Sequence, residues 1–293
     1  MKPILLALFL MMVPVVCLYG QTEHFYYGPN TRPVESIEKA VSFKLVSQKS
    51  RDRYAVKTFC RSNDKWVRIQ TEHIRIRDDT IQQVKFRGNN LFPGKRFRII
   101  HKTDSLCTFE EKQDGITLRR GTASRLIPLH LEGTVIEYHS NGTVRSVSWY
   151  RNNQLVSNRN WLRDGSEYID SIFYSADKEP EFRQGNRFFR SYILANLNQS
   201  GFDLSQIADE VVIGWVVMET GEIEGVIILQ GRYKPMNDFL VKTINNLPGE
   251  WKPAMLNGSP VRYFMTIPLN FRQNDASFQN VDLYGGYLHY NRY

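Results

Sequence analysis

Between residues 180 and 271 the hydrophobic residues change period several times, and this pattern constrains the fold more than any other feature of the chain. Spacings of three and four predict amphipathic helices, whereas strict alternation predicts strands with one face against a core. The helical spacing covers residues 184–197 and 235–247, and the alternation covers residues 211–217, 226–228 and 261–269. The predicted order is α-β-β-α-β. We therefore expect an α+β domain over residues 178–271, with two helices covering one face of a three-stranded antiparallel sheet.

Seven residues stand at turns and element ends around these runs, in a spacing that composition alone would not produce. They are Pro180, Phe182, Gly221, Trp251, Pro253, Asn257 and Gly258. With the two helices in register, this set resembles the C-terminal domain of the TonB family, the energy transducers of outer-membrane transport. The alternative is an unrelated α+β domain, in which Trp251 is an ordinary core or lid residue.

The resemblance implies that a peptide binds at an open sheet edge, and that the partner is a TonB-dependent outer-membrane receptor or a related envelope protein. The closing strand follows a turn and ends the sheet in sequence, so we expect it to be that edge, where an added strand finds unpaired N–H and C=O groups. The predicted partner-binding residues are Val261, Arg262, Tyr263, Phe264, Met265, Thr266 and Ile267. Arg262, Phe264 and Thr266 are expected to select the partner.

The N-terminus has the layout of a secretory signal peptide. Residues 4–18 form an apolar run behind Lys2, and the chain turns polar after Gly20. The run is short for a bilayer span of about 20 residues. We expect removal of residues 1–20 and a periplasmic protein. Two alternatives stay open, an uncleaved inner-membrane anchor and a lipoprotein modified at Cys17.

The function class depends on that choice. An energy transducer needs an anchor and a proline-rich spacer across the periplasm, and the prolines of this chain are scattered. We therefore predict a non-enzymatic protein-binding module, with the membrane-anchored transducer as the alternative. A hydrolase or cell-wall-binding enzyme is the third hypothesis, which a cleft with converging acid and base groups would favour.

The region before the α+β domain predicts strands only. Residues 21–128 consist of short alternating runs separated by turn pairs such as Asp114-Gly115, which indicates an all-β N-terminal module. Residues 129–177 resemble MORN-type hairpin repeats with a turn at Asn141-Gly142, and a plain β-meander is the alternative. The aromatic tail, residues 272–293, is expected either to be mobile or to lie on the sheet edge.

Charge divides the chain at the same place. Residues 21–178 hold 27 Lys and Arg against 18 Asp and Glu, whereas residues 179–293 hold 10 against 12. The basic half is expected to face an acidic partner, anionic lipid headgroups or peptidoglycan, or to be a solvated surface. An exported chain whose basic residues alternate along strands does not fit a nucleic-acid-binding protein.

No motif indicates catalysis or metal binding. The six histidines are scattered, none has a partner at metal-ligand spacing, and the chain has no phosphate-binding loop or nucleophile motif. We therefore predict a protein that works without a metal or cofactor. Cys60 and Cys107 remain after cleavage, and they either form a disulfide or are buried thiols.

Overall fold

The computed structural model describes residues 22–62, 65–77, 81–88, 96–102, 106–203, 209–271 and 284–285. The predicted signal segment and most of the predicted tail lie outside these residues. Over the part described the protein is mostly β, with twenty strands, two α-helices and two short 3-10 helices. Neither helix of this part has the length and apolarity needed to cross a bilayer.

Twelve antiparallel strands form the first sheet, which we call the meander. They are β1 (Thr22–Tyr27), β2 (Pro33–Val34), β3 (Ser42–Ser50), β4 (Arg53–Ser62), β5 (Lys65–Arg77), β6 (Ile81–Gly88), β7 (Arg96–Lys102), β8 (Cys107–Gln113), β9 (Ile116–Arg125), β10 (His130–Tyr138), β11 (Val144–Arg151) and β12 (Gln154–Asn160). From β3 to β12 each strand pairs with the next, and β1 and β2 continue the sheet beyond β3. Two-residue turns with positive φ join β8 to β9 at Asp114-Gly115 and β11 to β12 at Asn152-Asn153. Such turns twist in the same sense as the strands they connect.

The predicted fold class is wrong for this half of the chain. β10 pairs with β9 in the same ladder as all the strands before it, so there is no separate set of MORN-like hairpins. The expected boundary after residue 128 lies between these two paired strands. The structure has the plain meander instead, because each turn returns the chain beside the strand it has just left.

The meander curls until its two ends meet. Asn30, in the loop after β1, donates from Nδ2 to the Leu155 carbonyl of β12 at 2.8 Å. On β9 the Arg125 guanidinium lies 4.6 Å from the ring centroid of Phe25 in β1. Because these strands are far apart in the sheet order, the contacts give the meander an inner and an outer face.

Charged side chains fill part of the inner face. Arg98, Glu111, Arg119 and Glu137 stand opposite one another on β7, β8, β9 and β10. Arg98 donates to Glu111 and, at 3.1 Å, to Glu72 of β5, and Arg119 Nε donates to Glu111 Oε2 at 2.7 Å. Each carboxylate has a guanidinium beside it, which offsets the cost of its desolvation. We call these five residues the ionic row.

The rest of the chain builds a second sheet, in the order β13-β19-β15-β16. Its elements are β13 (Ile172–Phe173), β14 (Glu181–Phe182), α1 (Asn186–Gln199), β15 (Asp209–Val217), β16 (Ile223–Gln230), α2 (Lys234–Asn245), β17 (Trp251–Lys252), β18 (Ala254–Leu256), β19 (Ser259–Phe271) and β20 (Tyr284–Gly285). β18 and β20 also pair with β19, and β14 pairs separately with β17.

The two helices and the three long strands occupy the stretches where periodicity places them. The predicted three-stranded antiparallel sheet, and with it the TonB-like fold class, is nevertheless wrong. The sheet has six strands, and β13 joins β19 in parallel. β13, β18 and β20 are two or three residues long, which is too short to give an alternating pattern in the sequence.

The helices cover one face of this sheet and enclose an apolar core. Phe189 of α1, Trp215 of β15 and Trp251 of β17 are buried, and each pair of their ring centroids is 6.0 Å apart. Phe182 of β14 adds a ring 5.2 Å from Trp251. On the other face the segment between β12 and β14 packs Tyr168 and its neighbours against the sheet. The second sheet is therefore covered on both faces.

Candidate functional site

β19, the predicted binding edge, is an inner strand of the sheet. β15 pairs with one side of it along residues 209–217. On the other side lie β18 against residues 259–261, β13 against residues 262–263 and β20 against residues 265–266. The prediction that this strand is an open edge is therefore wrong. The prediction assumed that the last long strand in the sequence is also the outermost strand of the sheet. In the structure, short strands that precede β19 (β13, β18) and follow it (β20) pair with its other side.

The residues predicted to select a partner serve the fold. Phe264 is 2% exposed and Thr266 is fully buried, so neither side chain can reach a peptide from solvent. Arg262 donates from Nε to Glu219 at 3.1 Å and from Nη1 to the Asp170 carbonyl at 2.9 Å. The other predicted binding residues pack against or belong to the apolar core. They are Val261, Tyr263, Met265 and Ile267.

The residues that carried the resemblance have structural roles. Gly221 has φ +89°, and a Cβ at this position would collide with the Trp251 carbonyl. Trp251 in turn donates its backbone N–H to the Gly221 carbonyl at 3.2 Å. Asn257 and Gly258 both have positive φ and form the predicted turn, between β18 and β19. Phe182 is fully buried, and Pro180 and Pro253 are half-buried beside the paired strands β14 and β17.

Cys60 and Cys107 are free thiols, so the disulfide alternative is wrong. Cys60 lies on β4 and Cys107 on β8, four strands further along the sheet. That separation is about 19 Å along the sheet, and a disulfide needs Cα atoms within about 7 Å. Burial raises the pKa of Cys60 to about 11, and nearby Lys44 opposes the rise only in part. The thiol is therefore protonated at neutral pH and is a poor nucleophile.

Hydrogen bonds close two of the strand edges where the two sheets meet. On the outer side of β13, Asn158 of β12 accepts from the Ile172 N–H at 3.1 Å and donates to the Ile172 carbonyl at 2.7 Å. Asn158 thus replaces a neighbouring strand. The Asn160 carbonyl of β12 accepts from the Tyr168 N–H at 2.9 Å. Both edges are protected against strand addition.

β16 is different, because within the described part of the chain it has a strand neighbour only on the β15 side. Its side chains are supported on both faces, with Val226 and Ile228 against the helix-covered core and Ile227 and Leu229 against the cluster around Tyr168. The strand is therefore held firmly in place. The side of β16 away from β15 borders a cleft of about 630 Å³, within the usual range of about 300–1,000 Å³ for ligand sites.

The cleft lies between β16, helix α2 and the end of the meander. Its wall includes the whole stretch from Val226 to Gly231 on the strand side. The facing residues are His139, Arg145, Asn160, Trp161, Leu162, Arg163, Asp164, Tyr168, Tyr174, Asn237, Val241 and Phe264. Aromatic and aliphatic surface thus surrounds a few polar groups, as is typical of binding sites.

Two residues that line the cleft have a buried amide oxygen that accepts no hydrogen bond from the residues described. Asn160 is 5% exposed and uses its Nδ2 for Asn158 and the Ile169 carbonyl, which leaves Oδ1 without a donor. Across the cleft on α2, Asn237 donates to the Gly231 carbonyl at 3.2 Å, and its Oδ1 also lacks a donor. Buried acceptors without a partner are costly, and both oxygens are closed to solvent in this structure.

His139 fixes one side of the cleft. Its Nε2 lies 2.9 Å from the Trp161 carbonyl. Burial lowers the pKa of His139, Arg145 and Arg163 lower it further, and the contact with Trp161 opposes the shift in part. The ring is therefore neutral at pH 7, and Nε2 donates to the carbonyl. This bond holds the backbone of Trp161 at the mouth of the cleft.

Most charged groups around the cleft are engaged within the protein. Arg145 Nη2 donates to Glu137 Oε2 at 3.0 Å. Burial acts to raise the pKa of Glu137, but the guanidinium groups of Arg145 and Arg119 outweigh it and hold the pKa below its ordinary value. Asp164 accepts from the backbone N–H and the hydroxyl of Ser166 at 3.0 and 2.6 Å. Arg163, at the rim, has no such partner among the residues described.

No cluster of His, Cys, Asp or Glu that could hold a metal ion occurs in the described part of the chain. Comparison with protein-family models, with curated proteins and with solved structures finds no match to this chain. The TonB resemblance therefore stays a prediction. It rests on sequence motifs whose residues, in this structure, stabilise the second sheet.

Sequence reasoning missed the cleft because its walls come from distant parts of the chain. Trp161, Tyr168 and Asn237 stand in no common motif. One signal was present, since Gly225 interrupts the alternation of β16. The Tyr168 hydroxyl donates to the Gly225 carbonyl at 2.5 Å, and a Cβ at Gly225 would collide with the Tyr168 ring. A glycine inside a strand marks such a close approach.

Proposed function

We propose that the protein is a non-enzymatic binding module of the cell envelope, which takes up an extended segment of a partner protein by strand addition to β16. The observation that carries the proposal is the side of β16 that has no strand neighbour among the residues described and that borders a cleft of about 630 Å³. An extended segment offers backbone N–H and C=O groups at regular spacing, which can pair with those of β16.

The state of the polar groups supports binding over catalysis. His139 is neutral and bonded to a carbonyl, and Asp164 is held in its own turn. General acid–base catalysis needs such groups directed at a substrate with a pKa suited to the proton transfer. The cleft offers fixed aromatic and amide surface instead.

The predicted signal peptide and the sequence resemblance nominate the first partners to examine. We propose the periplasm as the compartment, and a TonB-dependent outer-membrane receptor or another envelope protein as the source of the bound segment. The binding edge differs from the one expected from sequence, since β16 replaces β19. The partner therefore has to approach from the side of the meander.

N-methylated peptides test the mode of binding. The probe is a nine-residue peptide with blocked ends that alternates valine with threonine. A strand uses the N–H groups of alternate residues toward each neighbour. Methylation of one alternate set should abolish binding to the purified chain, while methylation of the other set should leave the Kd within about twofold. Equal loss from both sets, or from neither, would rule out strand addition.

The protein side of the same test uses two tryptophans. Trp161→Ala should weaken binding by about tenfold, since buried aromatic residues carry much of the energy at binding sites. Trp149→Ala is the control, because Trp149 is 46% exposed and does not line the cleft. Amide NMR signals of residues 223–230 should shift on binding. If the shifts fall elsewhere, or both variants behave alike, the site is not this cleft.

A further inference from the structure

The charges at the cleft restrict which segment can bind, and this inference rests on the proposed function. Asp164 lines the cleft, and Glu137 and Asp170 bond to the lining residues Arg145 and Asn160. Glu137 pairs with Arg145, Asp164 binds Ser166, and Asp170 accepts from the Asn160 N–H at 3.0 Å. All three are occupied within the protein.

The positive charge at the rim is not compensated in this way. Arg163 is exposed, lines the cleft, and has no ion pair or side-chain hydrogen bond among the residues described. It is close enough to His139 to lower the pKa of that ring. The meander behind it carries the excess of Lys and Arg found in residues 21–178. The electrostatic potential from Arg163 and the longer-range potential from the meander are therefore both positive.

The geometry of β16 gives the two faces of an added strand different surroundings. Side chains of successive residues point to opposite faces of a sheet. One face of β16 packs toward α2, where Val241 offers an apolar wall. The other face packs toward Tyr168, and the turn that carries Arg163 lines the same cleft. A segment that alternates apolar with acidic residues matches both.

We propose that β16 binds an acidic extended segment of a partner protein, with apolar side chains toward α2 and carboxylates toward Arg163. The backbone of the segment supplies the N–H and C=O groups that pair with β16. Its carboxylates supply the anion that Arg163 lacks. Backbone pairing with β16 therefore gives a part of the affinity that does not depend on salt. The contact between the carboxylates and Arg163 gives a smaller part that does.

Matched peptides separate the two parts. One nine-residue peptide alternates valine with glutamate, and its match carries glutamine at each glutamate. Both have blocked ends, and both are titrated into the full chain at about 20 mM and about 300 mM salt. We expect the glutamate peptide to bind about two- to fivefold more tightly at low salt, in the range of exposed ion pairs. The advantage should shrink at high salt.

Two arginine variants complete the experiment. Arg163→Gln should remove the preference for glutamate and leave the affinity for the glutamine peptide unchanged. Arg151→Gln loses the same charge from an exposed site outside the cleft and should keep the preference. If the two peptides bind equally, or Arg151→Gln has the same effect as Arg163→Gln, the acidic segment is wrong while strand addition stands. If neither peptide binds and residues 223–230 show no shift, both proposals are wrong.

Discussion

The interiors of the two sheets differ in chemistry, since charged side chains are buried in the meander and apolar side chains in the second sheet. In the meander, Arg98 and Glu111 are 3% and 0% exposed and are held by each other and by their neighbours in the ionic row. In the second sheet, Trp215 and Phe189 are as deeply buried in an almost wholly apolar core. The difference shows that burial by itself does not say what holds a region together.

The ionic row fixes how neighbouring strands of the meander are aligned more than it adds to the net free energy of unfolding. Apolar side chains tolerate a shift of one strand along another, but Arg98 and Glu111 compensate each other only when they stand opposite. A shifted register would leave charges buried without partners, which is costly. The apolar core of the second sheet contributes stability through the area it removes from water. The same reasoning predicts different responses when each region is damaged.

Removal of Arg98 should have the largest effect. Arg98→Ala leaves Glu72 and Glu111 buried with less compensation, and we expect a loss of about 5 kcal/mol in the free energy of unfolding, the upper end of the range for a broken buried pair. Urea denaturation measures it. Arg151→Ala, on the exposed side of the same sheet, should change the stability by less than about 0.5 kcal/mol. A loss below about 1 kcal/mol for Arg98→Ala would mean that the row is hydrated.

The apolar region should respond almost as strongly to the loss of one ring. Trp251→Ala removes the side chain between Phe182 and Trp215, and we expect a cost of about 4 kcal/mol, within the range for large-to-small core changes. This cost should not depend on salt, because the removed contacts are apolar. Trp149→Ala is the exposed control. An effect below about 1 kcal/mol would place Trp251 outside the core.

The contact between the meander and the second sheet depends on Asn158, which bonds to the backbone of Ile172. Asn158→Ala leaves the Ile172 N–H and carbonyl without their partners, and we expect a loss of about 1–3 kcal/mol. Ser157→Ala, an exposed neighbour on the same strand, should be nearly neutral. The variant should also open the edge of β13, so that the alternating valine–threonine peptide shifts amide signals near residue 172. A stable variant without such shifts would show that Asn158 does not close this edge.

The elements of this protein were easier to predict than their arrangement. The periodicity around Phe189 and Leu240 located both helices, and Asn257-Gly258 located a turn, because these signals are local. β13 and β20 gave no signal, since two residues cannot show a period. The neighbours of β19 were therefore unknown, and the binding edge was assigned to the wrong strand.

The candidate site was harder still to predict. Asn160 reads as one more polar residue at the end of a strand, and Asn237 as one more polar residue on a helix. Their oxygens become informative only when the curl of the meander places both beside β16. Charge is the one feature of the site that the sequence shows directly. The excess of Lys and Arg in the first half of the chain is the basis for proposing an acidic partner.

The smallest expected effect is a fall in stability with acid that comes from the meander. Several groups of the meander have clearly shifted pKa values, among them Glu137 and His139. His139 is one of them, and its folded pKa is below the ordinary value of about 6.5 because the ring is buried. The unfolded chain then binds more protons between the two values, so stability falls as the pH drops through about 6.5.

His139→Gln should reduce this fall, because glutamine does not titrate and can still donate to the Trp161 carbonyl. The measurement is the urea midpoint of wild type and variant at pH 7.5 and pH 5.5, and the wild type should lose more. His130, whose pKa burial and Arg125 also lower, keeps part of the dependence in the variant. If the two proteins lose equally, the proton is taken up elsewhere. If the variant instead loses more stability than the wild type, His139 is charged in the fold, and the cleft would then carry a second cation without a carboxylate partner beside Arg163.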